Sequence, residues 1–145
     1  MDEYFASDIM KKRVVTIDSS SVAADAAKKM ADDEIGCLIV TEGGIPVGIV
    51  TERDLVRMIA RKDDLASTQV KKIMSSPLIH IDPDSTIWEL AEKMKLEKIH
   101  RIPVIRGKDL VGIVTTTDIT RLCSIGSDSE MKIVCQQILQ RLNQA

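Results

Sequence analysis

The sequence has few aromatic residues and no large excess of charge of either sign. Phe, Trp and Tyr occur once each, and 20 Lys and Arg residues are balanced by 22 Asp and Glu, which gives a formal net charge of −2. Proteins that bind nucleic-acid polymers present basic surfaces, and many of them stack bases on aromatic rings. We therefore expect no nucleic-acid partner.

Long apolar runs and cysteine motifs are also scarce. Runs such as Cys37–Val40 are far shorter than the ~20 residues that span a bilayer, and the first residues lack a basic and apolar leader. The three cysteines, Cys37, Cys123 and Cys135, form no C-x-x-C pair, so we interpret them as reduced apolar side chains. These features predict a cytoplasmic protein with no membrane segment.

An internal repeat is the strongest feature that is present. A shift of 64 positions aligns Asp8–Met58 with Lys72–Leu122 without a gap, and 18 of the 51 pairs are identical. Unrelated segments would give on the order of three identities. The longest match joins Val47–Thr51 to Val111–Thr115, and in each copy an Asp and an Arg follow it.

Each copy has the pattern of a β-α-β-β-α unit. Short apolar runs predict first strands at Val14–Ile17 and Leu78–Ile81, and the Ser/Asp clusters after them offer helix N-caps at Asp18–Ser21 and Asp82–Ser85. A helix, a hairpin and a second helix beginning near Thr51 or Thr115 complete the unit. The predicted hairpin strands are Gly36–Thr41 and Pro46–Val50 in the first copy, and Arg101–Ile105 and Asp109–Val114 in the second.

The predicted fold class is α+β (α/β), with the two repeats packed sheet to sheet about a pseudo-twofold axis. A unit of about 55 residues with an apolar three-stranded sheet needs a second unit to cover that sheet. The predicted boundaries are 7–60 for the first repeat, 61–70 for a polar connector, 71–123 for the second repeat and 124–145 for a loop and an amphipathic helix. That helix has Met131, Val134, Ile138 and Leu142 on one face.

The strongest candidate site is the sequence Gly-Ile-Val-Thr-x-x-Asp, at Gly48–Asp54 and again at Gly112–Asp118. At a strand-to-helix junction, free N–H groups and the helix dipole favour an anion, and the Asp offers two acceptor oxygens to a ribose diol. The alternative is a structural capping box, because Thr is followed three residues later by an acidic residue. Recurrence favours the ligand hypothesis only in part, since a duplicated cap would also recur.

A second candidate is the segment His100-Arg101-Ile102-Pro103-Val104, whose His and Arg are able to bind phosphate oxygens. Gly36-Cys37 stands at the same register in the first copy, so the halves differ in charge. The Lys11–Arg13 run is interpreted as a solvated face. We find no catalytic Ser/His/Asp order, no paired carboxylates and no metal-ligand cluster, so an enzyme is the weakest hypothesis.

Together these motifs resemble a tandem pair of CBS domains, named after cystathionine β-synthase and often called a Bateman module. The resemblance covers about residues 7–123. It rests on the Asp-Ile-Met and Lys-Ile-Met openings, the Val-Val-Thr-Ile-Asp and Leu-Ile-His-Ile-Asp strands, the His100–Val104 segment and both Gly-Ile-Val-Thr-x-x-Asp motifs. It implies a non-catalytic regulatory module that binds AMP, ADP, ATP or S-adenosylmethionine in the cleft between its repeats, with no required cofactor and no metal.

The resemblance also implies roles for individual residues. Asp54 and Asp118 would hold the ribose with the help of Thr51 and Thr115, and His100 and Arg101 would hold phosphates. Adenine would lie against apolar strand residues, and the residue before each motif Asp would face the ligand. Thr117 matches the hydroxyl residue that is common there, whereas Arg53 departs from that pattern and would instead contact phosphate. The other ligand-binding residues implied in this way are Thr16, Arg53, Ile79, His80, Pro103, Ile113 and Thr117.

The leading hypothesis is therefore an energy-sensing module that binds an adenosine nucleotide, forms a homodimer and signals to a regulated protein that the sequence does not name. One alternative is a module that binds S-adenosylmethionine or methylthioadenosine. A second is a ligand-independent dimerisation or interaction module, in which the motif Thr and Asp residues only cap helices.

Overall fold

The computed structural model describes residues 4–125 and 135–140 of the chain. In chain order the elements are α1 (Ala6–Ile9), β1 (Thr16–Asp18), α2 (Ala23–Asp33), β2 (Cys37–Glu42), β3 (Ile45–Thr51), α3 (Glu52–Ala60), a 3₁₀ turn (Val70–Lys72), α4 (Ile87–Glu97), β4 (Arg101–Arg106), β5 (Asp109–Thr115) and α5 (Thr116–Ile125). Residues 135–140 are also helical. The strands form a sheet of order β1-β2-β3 and a sheet of β4 and β5, which confirms the α+β class. Within the described ranges, no helix has the length and apolar character needed to cross a membrane.

The chain forms two compact units. The first unit is Val14–Ile79, and the second combines the described parts of Met1–Arg13 and His80–Ala145. These units do not coincide with the sequence repeats. Residues 7–13, which open the first repeat, belong to the unit of the second repeat, and residues 71–79, which open the second repeat, belong to the unit of the first.

Both predicted hairpins are present and match each other in detail. Their turns contain Gly43, Gly44 and Gly107 with φ of 58°, 82° and 65°, a conformation that costs glycine little. Each antiparallel ladder has a register shift, after Val40 in the first hairpin and after Val104 in the second. The shifts lie 64 residues apart, so the duplication extends to this backbone irregularity.

The predicted first strand forms in only one unit. In the first unit, β1 pairs in parallel with β2 over Thr16–Asp18. The strand predicted at Leu78–Ile81 in the second copy is reduced to a single parallel bridge between Ile81 and Val104. The prediction of a strand in the second copy is therefore wrong.

Two prolines explain this difference. In the first unit the N–H groups of Ser19 and Ile39 lengthen the parallel ladder, donating to carbonyls of the neighbouring strand at 2.8 and 3.1 Å. The residues 64 positions later are Pro83 and Pro103. Proline has no N–H, so neither hydrogen bond can form in the second unit.

The Ser/Asp clusters form turns rather than helix caps. The Asp18 carboxylate accepts a hydrogen bond from the Ser20 N–H at 3.0 Å, and the Asp82 carboxylate accepts one from the Asp84 N–H at 2.8 Å. The N-cap residues are Val22 for α2 and Thr86 for α4, in place of the predicted clusters. Asp prefers this local turn because its side chain competes for nearby backbone N–H groups.

Distant backbone supplies the missing acceptors at the helix starts. Val22 has no side-chain acceptor, and the N–H groups of Ala23 and Ala24 instead donate to carbonyls of the connector, Thr68 and Leu65, at 2.8 and 2.9 Å. In the second unit the N–H of Ile87 donates to the Tyr4 carbonyl at 3.0 Å. The segments between and before the repeats therefore satisfy helix N–H groups that would otherwise lack partners.

The predicted apolar helix faces are buried. In the first unit they join a core of aliphatic strand residues from β2 and β3. The buried helix residues are Ala23, Ala26 and Met30 in α2, and Ile87, Leu90, Ala91 and Met94 in α4.

One interpretation of the cysteines is wrong. Cys123 and Cys135 form a disulfide, with their Cα atoms 5.4 Å apart, and Cys37 is half-buried. The bond joins the end of α5 to the 135–140 helix, a contact that their separation of 12 residues did not indicate. Ile138 of the predicted amphipathic helix is buried, whereas Met131, Val134 and Leu142 lie outside the described residues.

In each unit a leading segment, the stretch of chain around Lys11 or Ser75 that enters a repeat, pairs with the strand that carries that unit's motif. Lys11 and Ile113 exchange two backbone hydrogen bonds at 2.9 and 3.0 Å, and Ser75 and Ile49 exchange two at 2.8 and 3.1 Å. A Cβ at Gly48 would lie 2.8 Å from the Ser75 carbonyl oxygen. A Cβ at Gly112 would make the equivalent close contact with the Lys11 carbonyl oxygen. The motif glycine is therefore required for this close backbone approach.

Gly48→Ala should lower the free energy of unfolding by about 2–3 kcal/mol, because the new methyl group overlaps a hydrogen-bonded backbone carbonyl. Urea unfolding measures this value. Gly43→Ala is the control: its Cβ would meet nothing within 4 Å, and only its positive φ is unfavourable, so a loss of about 1 kcal/mol is expected. A smaller effect at Gly48 than at Gly43 would contradict the close-approach explanation.

Candidate functional site

The Gly-Ile-Val-Thr-x-x-Asp motif lies at a strand-to-helix junction in both units, as predicted. Thr51 ends β3 and is the N-cap of α3, and Thr115 ends β5 immediately before α5. Asp54 and Asp118 lie in the first turn of these helices. The two copies therefore present the same chemical groups in the same backbone setting.

Both motifs form the capping interaction of the structural alternative. Oδ2 of Asp54 accepts hydrogen bonds from the Thr51 N–H at 2.8 Å and from its hydroxyl at 3.3 Å. Oδ2 of Asp118 accepts the equivalent bonds from Thr115 at 2.8 and 3.0 Å. One oxygen of each carboxylate is thus engaged in helix capping, and Oδ1 is the atom left for other interactions.

The free N–H groups expected at these helix starts are partly occupied. The Glu52 N–H donates to the Gly36 carbonyl at 3.1 Å, and the Thr116 N–H donates to the His100 carbonyl at 3.0 Å. With the Thr N–H bonded to the motif Asp, the first two N–H groups of each junction already have partners. An anion at these sites would therefore depend more on side chains than the sequence indicated.

Asp118 is buried beside two cations. Its side chain is 2% exposed, and its Oδ1 lies 3.7 Å from Lys11 Nζ and 3.5 Å from an Arg121 guanidinium nitrogen. The two basic side chains are 53% and 58% exposed, so water solvates them as well. Their arrangement places positive charge next to the group proposed to hold a ribose.

Asp54 has a different electrostatic environment. It is half-buried, and within the part of the chain that the structure describes no basic group lies within ion-pairing distance of its carboxylate. The residue equivalent to Lys11 is Ser75, and the residue equivalent to Arg121 is Arg57. The two motifs are alike in backbone and unlike in charge.

The structure divides the predicted site residues between the units. The first unit contains Thr16, Thr51, Arg53, Asp54 and Ile79, and the second contains His80, His100, Arg101, Pro103, Ile113, Thr115, Thr117 and Asp118. Pro103 and Ile113 are buried and face each other across β4 and β5. His80, His100, Arg53 and Thr117 are exposed, whereas Arg101 and Thr16 are half-buried.

Sequence reasoning missed the roles of Lys11 and Arg121 beside Asp118. Arg121 recurs as Arg57 one turn after each motif Asp, and this recurrence was the available signal. Lys11 gave no such signal, because it belongs to a charged run that is typical of a solvated face. Its position beside Asp118 results from the packing of the leading segment on β5.

Two exposed side chains have shifted pKa values. Hydrogen bonds from the Ser20 hydroxyl and N–H lower the pKa of Asp18, and a hydrogen bond from Lys28 to Asp32 raises the pKa of that lysine. Neither group belongs to a motif. In residues 4–125 and 135–140, no three His, Cys, Asp or Glu side chains are grouped to hold a metal ion.

Comparison with known proteins gives matches over both repeats. A family model described as CBS domain matches residues 6–61 and 70–124. The chain is 33% identical over 135 residues to an uncharacterized protein of Methanocaldococcus jannaschii, MJ1404, covering 83% of this chain and 32% of that protein. It is 35% identical over 120 residues to homoserine O-acetyltransferase of Methanohalobium evestigatum, covering 81% of this chain and 24% of that enzyme. The chain thus spans a third or less of these two relatives.

A solved structure has the same fold. The CBS domain pair of protein MJ0100, in complex with 5′-methylthioadenosine and S-adenosyl-L-methionine, superposes with a TM-score of 0.77 at 29% identity. The match covers 85% of this chain and 98% of that chain.

Asp118→Ala should lower the free energy of unfolding by about 1–2 kcal/mol, because the cap of α5 loses its acceptor. Asp118→Asn keeps an oxygen for the Thr115 N–H and should cost less than half as much. The exposed Lys11 and Arg121 remain solvated in both variants, so their lost ion pairs add little. Urea unfolding of the two variants tests this, and equal losses would argue against capping by Asp118.

Proposed function

Because the chain belongs to the CBS domain family, we propose that it is a non-catalytic regulatory module that binds an adenosine nucleotide, AMP, ADP or ATP. Binding would change its conformation and so signal to a partner protein. The observation that carries this proposal is the pair of Thr–Asp motifs at equivalent junctions. In each motif Oδ2 caps the helix. Among the residues that the structure describes, Oδ1 of Asp54 has no hydrogen-bond partner, and Oδ1 of Asp118 accepts only the 3.5 Å hydrogen bond from Arg121.

The proposed ribose contact follows from the chemistry of these carboxylates. The two hydroxyls of a ribose diol are donors, and an ionised carboxylate is an acceptor with lone pairs on both oxygens. Hydrogen bonds to a charged acceptor are roughly twice as strong as those between neutral groups. A diol at Asp54 or Asp118 would use Oδ1 without removing the cap on Oδ2.

Charge in the second unit favours a phosphate-bearing ligand. Lys11 and Arg121 lie beside Asp118, and the same unit contains His100 and Arg101 at the start of β4. Phosphate oxygens are strong acceptors for such cations. The complex of MJ0100 with methylthioadenosine and S-adenosylmethionine supports the adenosine group as the common part of the ligand, and these two compounds are the alternative ligands for this chain.

The proposed regulatory role needs a partner whose activity responds to the bound state. A ligand that binds two conformations with different affinity shifts their populations by that difference. The match to a quarter of homoserine O-acetyltransferase supports a partner with catalytic activity, either attached or separate. As part of the same proposal, the module functions in the cytoplasm, where adenosine nucleotides are available.

Calorimetry with AMP, ADP, ATP, S-adenosylmethionine and methylthioadenosine tests the ligand class. Asp118→Asn should weaken nucleotide binding at the second-unit site by about tenfold or more, because a charged acceptor becomes neutral while the cap is kept. Asp54→Asn makes the same change in the first unit. Asp84→Asn is the matched control at an exposed carboxylate outside both motifs.

The outcomes separate the hypotheses. Binding only of S-adenosylmethionine or methylthioadenosine would replace the nucleotide with that ligand. No binding of any of the five compounds at millimolar concentration would overturn the proposal. Equal weakening by Asp84→Asn and Asp118→Asn would remove the assigned ribose role.

A second candidate function, a module for self-association, is favoured by an apolar surface on α3. Val56 and Ile59 are 62% and 64% exposed and lie one turn apart. The equivalent positions on α5 are Thr120 and Cys123, and Cys123 is bonded to the 135–140 helix. In a dimer, a second copy of the chain would cover the exposed surface of α3. The equivalent surface of α5 is attached to the 135–140 helix through Cys123.

Replacement of both residues, Val56→Gln with Ile59→Gln, should convert a homodimer to a monomer because the exposed apolar surface is lost. Sedimentation velocity measures the state, and Leu96→Gln, another exposed apolar residue, is the control. A dimer that persists in the double variant would exclude this surface as the interface. A wild-type monomer at all concentrations would exclude self-association.

A further inference from the structure

The duplicated backbone allows the two motif sites to be compared residue by residue. Lys11 in the second unit and Ser75 in the first unit are related by the 64-residue shift. Each exchanges two backbone hydrogen bonds with the central Ile of its motif strand, Ile113 or Ile49. The chain therefore passes each motif in the same way, and the side chain at this position is basic in one repeat and neutral in the other.

Among the residues that the structure describes, Lys11 is the basic residue that both differs between the repeats and lies at ion-pair distance from a motif carboxylate. Its Nζ is 3.7 Å from Asp118 Oδ1, which is longer than a hydrogen bond, and its side chain is 53% exposed. Arg121 also contacts this oxygen, but its counterpart Arg57 occupies the same position in the first repeat. Arg121 therefore does not distinguish the two sites by residue type.

We propose that Lys11 selects negatively charged ligands at the Asp118 site, so that this site prefers adenosine compounds carrying a 5′-phosphate. Ser75 supplies no such charge at the Asp54 site. This inference rests on the proposed binding of adenosine compounds and adds which of the two motifs recognises the phosphate.

The chemistry of lysine suits this role. Its ammonium group is a compact charge with three donors on a flexible four-carbon stem, so it can leave a loose ion pair and reach a phosphate on the far side of a ribose. When the ribose hydroxyls donate to Asp118, the carboxylate loses little by the movement of Lys11, because Arg121 remains beside it. A neutral adenosine gains nothing from the ammonium group, whereas AMP gains a charge-assisted contact.

The test measures the affinities of AMP and adenosine at one site at a time. In an Asp54→Asn background, which weakens the first-unit site, Lys11→Ser should weaken AMP binding about tenfold and leave adenosine binding within about twofold. Lys11→Arg should retain the preference for AMP. The reciprocal change, Ser75→Lys in an Asp118→Asn background, should strengthen AMP binding at the first-unit site and leave adenosine binding unchanged.

These variants are expected to fold, because both side chains are exposed and each replacement introduces the residue found in the other repeat. Circular dichroism and thermal unfolding verify this. Equal weakening of AMP and adenosine by Lys11→Ser would show a positioning role for the leading segment and would overturn charge selection. An AMP affinity that Lys11→Ser leaves unchanged would also overturn it. If the wild-type protein binds neither compound, the proposed function itself fails, and the assignment of Lys11 fails with it.

Discussion

The paired backbone hydrogen bonds between a leading segment and a motif strand are the constraint on which the rest of this structure depends. They require glycine at position 48 or 112, because a side chain there would overlap the carbonyl oxygen of Ser75 or Lys11. They also bring a residue that is distant in sequence next to the motif. The same glycine therefore permits the close approach that brings this distant residue next to the motif.

The motif Asp combines a structural role with the proposed binding role. A carboxylate has more acceptor capacity than helix capping uses, so one oxygen can fix the helix start while the other is held only by weak, partly solvated ion pairs. Asp118 is in this state between Thr115, Lys11 and Arg121. The capping and ligand hypotheses, which compete at the level of sequence, are compatible once the two oxygens are considered separately.

The two repeats share one scaffold, and particular residue differences change it locally. Pro83 and Pro103 remove hydrogen-bond donors and reduce a strand of the second unit to a single bridge. Lys11 and Ser75 give equivalent backbone positions different charges. Both changes leave the motif junctions intact, because the hydrogen bonds there use backbone groups and the Thr–Asp pair. Differences between the sites can therefore arise without loss of the common scaffold.

The sequence alone determined the repeat, the α+β class, both hairpins, the motif helices and the capping pairs, because these depend on local periodicity, turn residues and contacts within three or four positions. Only the tertiary structure decided which unit each leading segment joins, that Lys11 lies beside Asp118, and that Cys123 pairs with Cys135. Lys11 and Asp118 are more than one hundred positions apart in the chain. No local pattern encodes such a contact, because it depends on how complete segments pack once the helices and strands have formed.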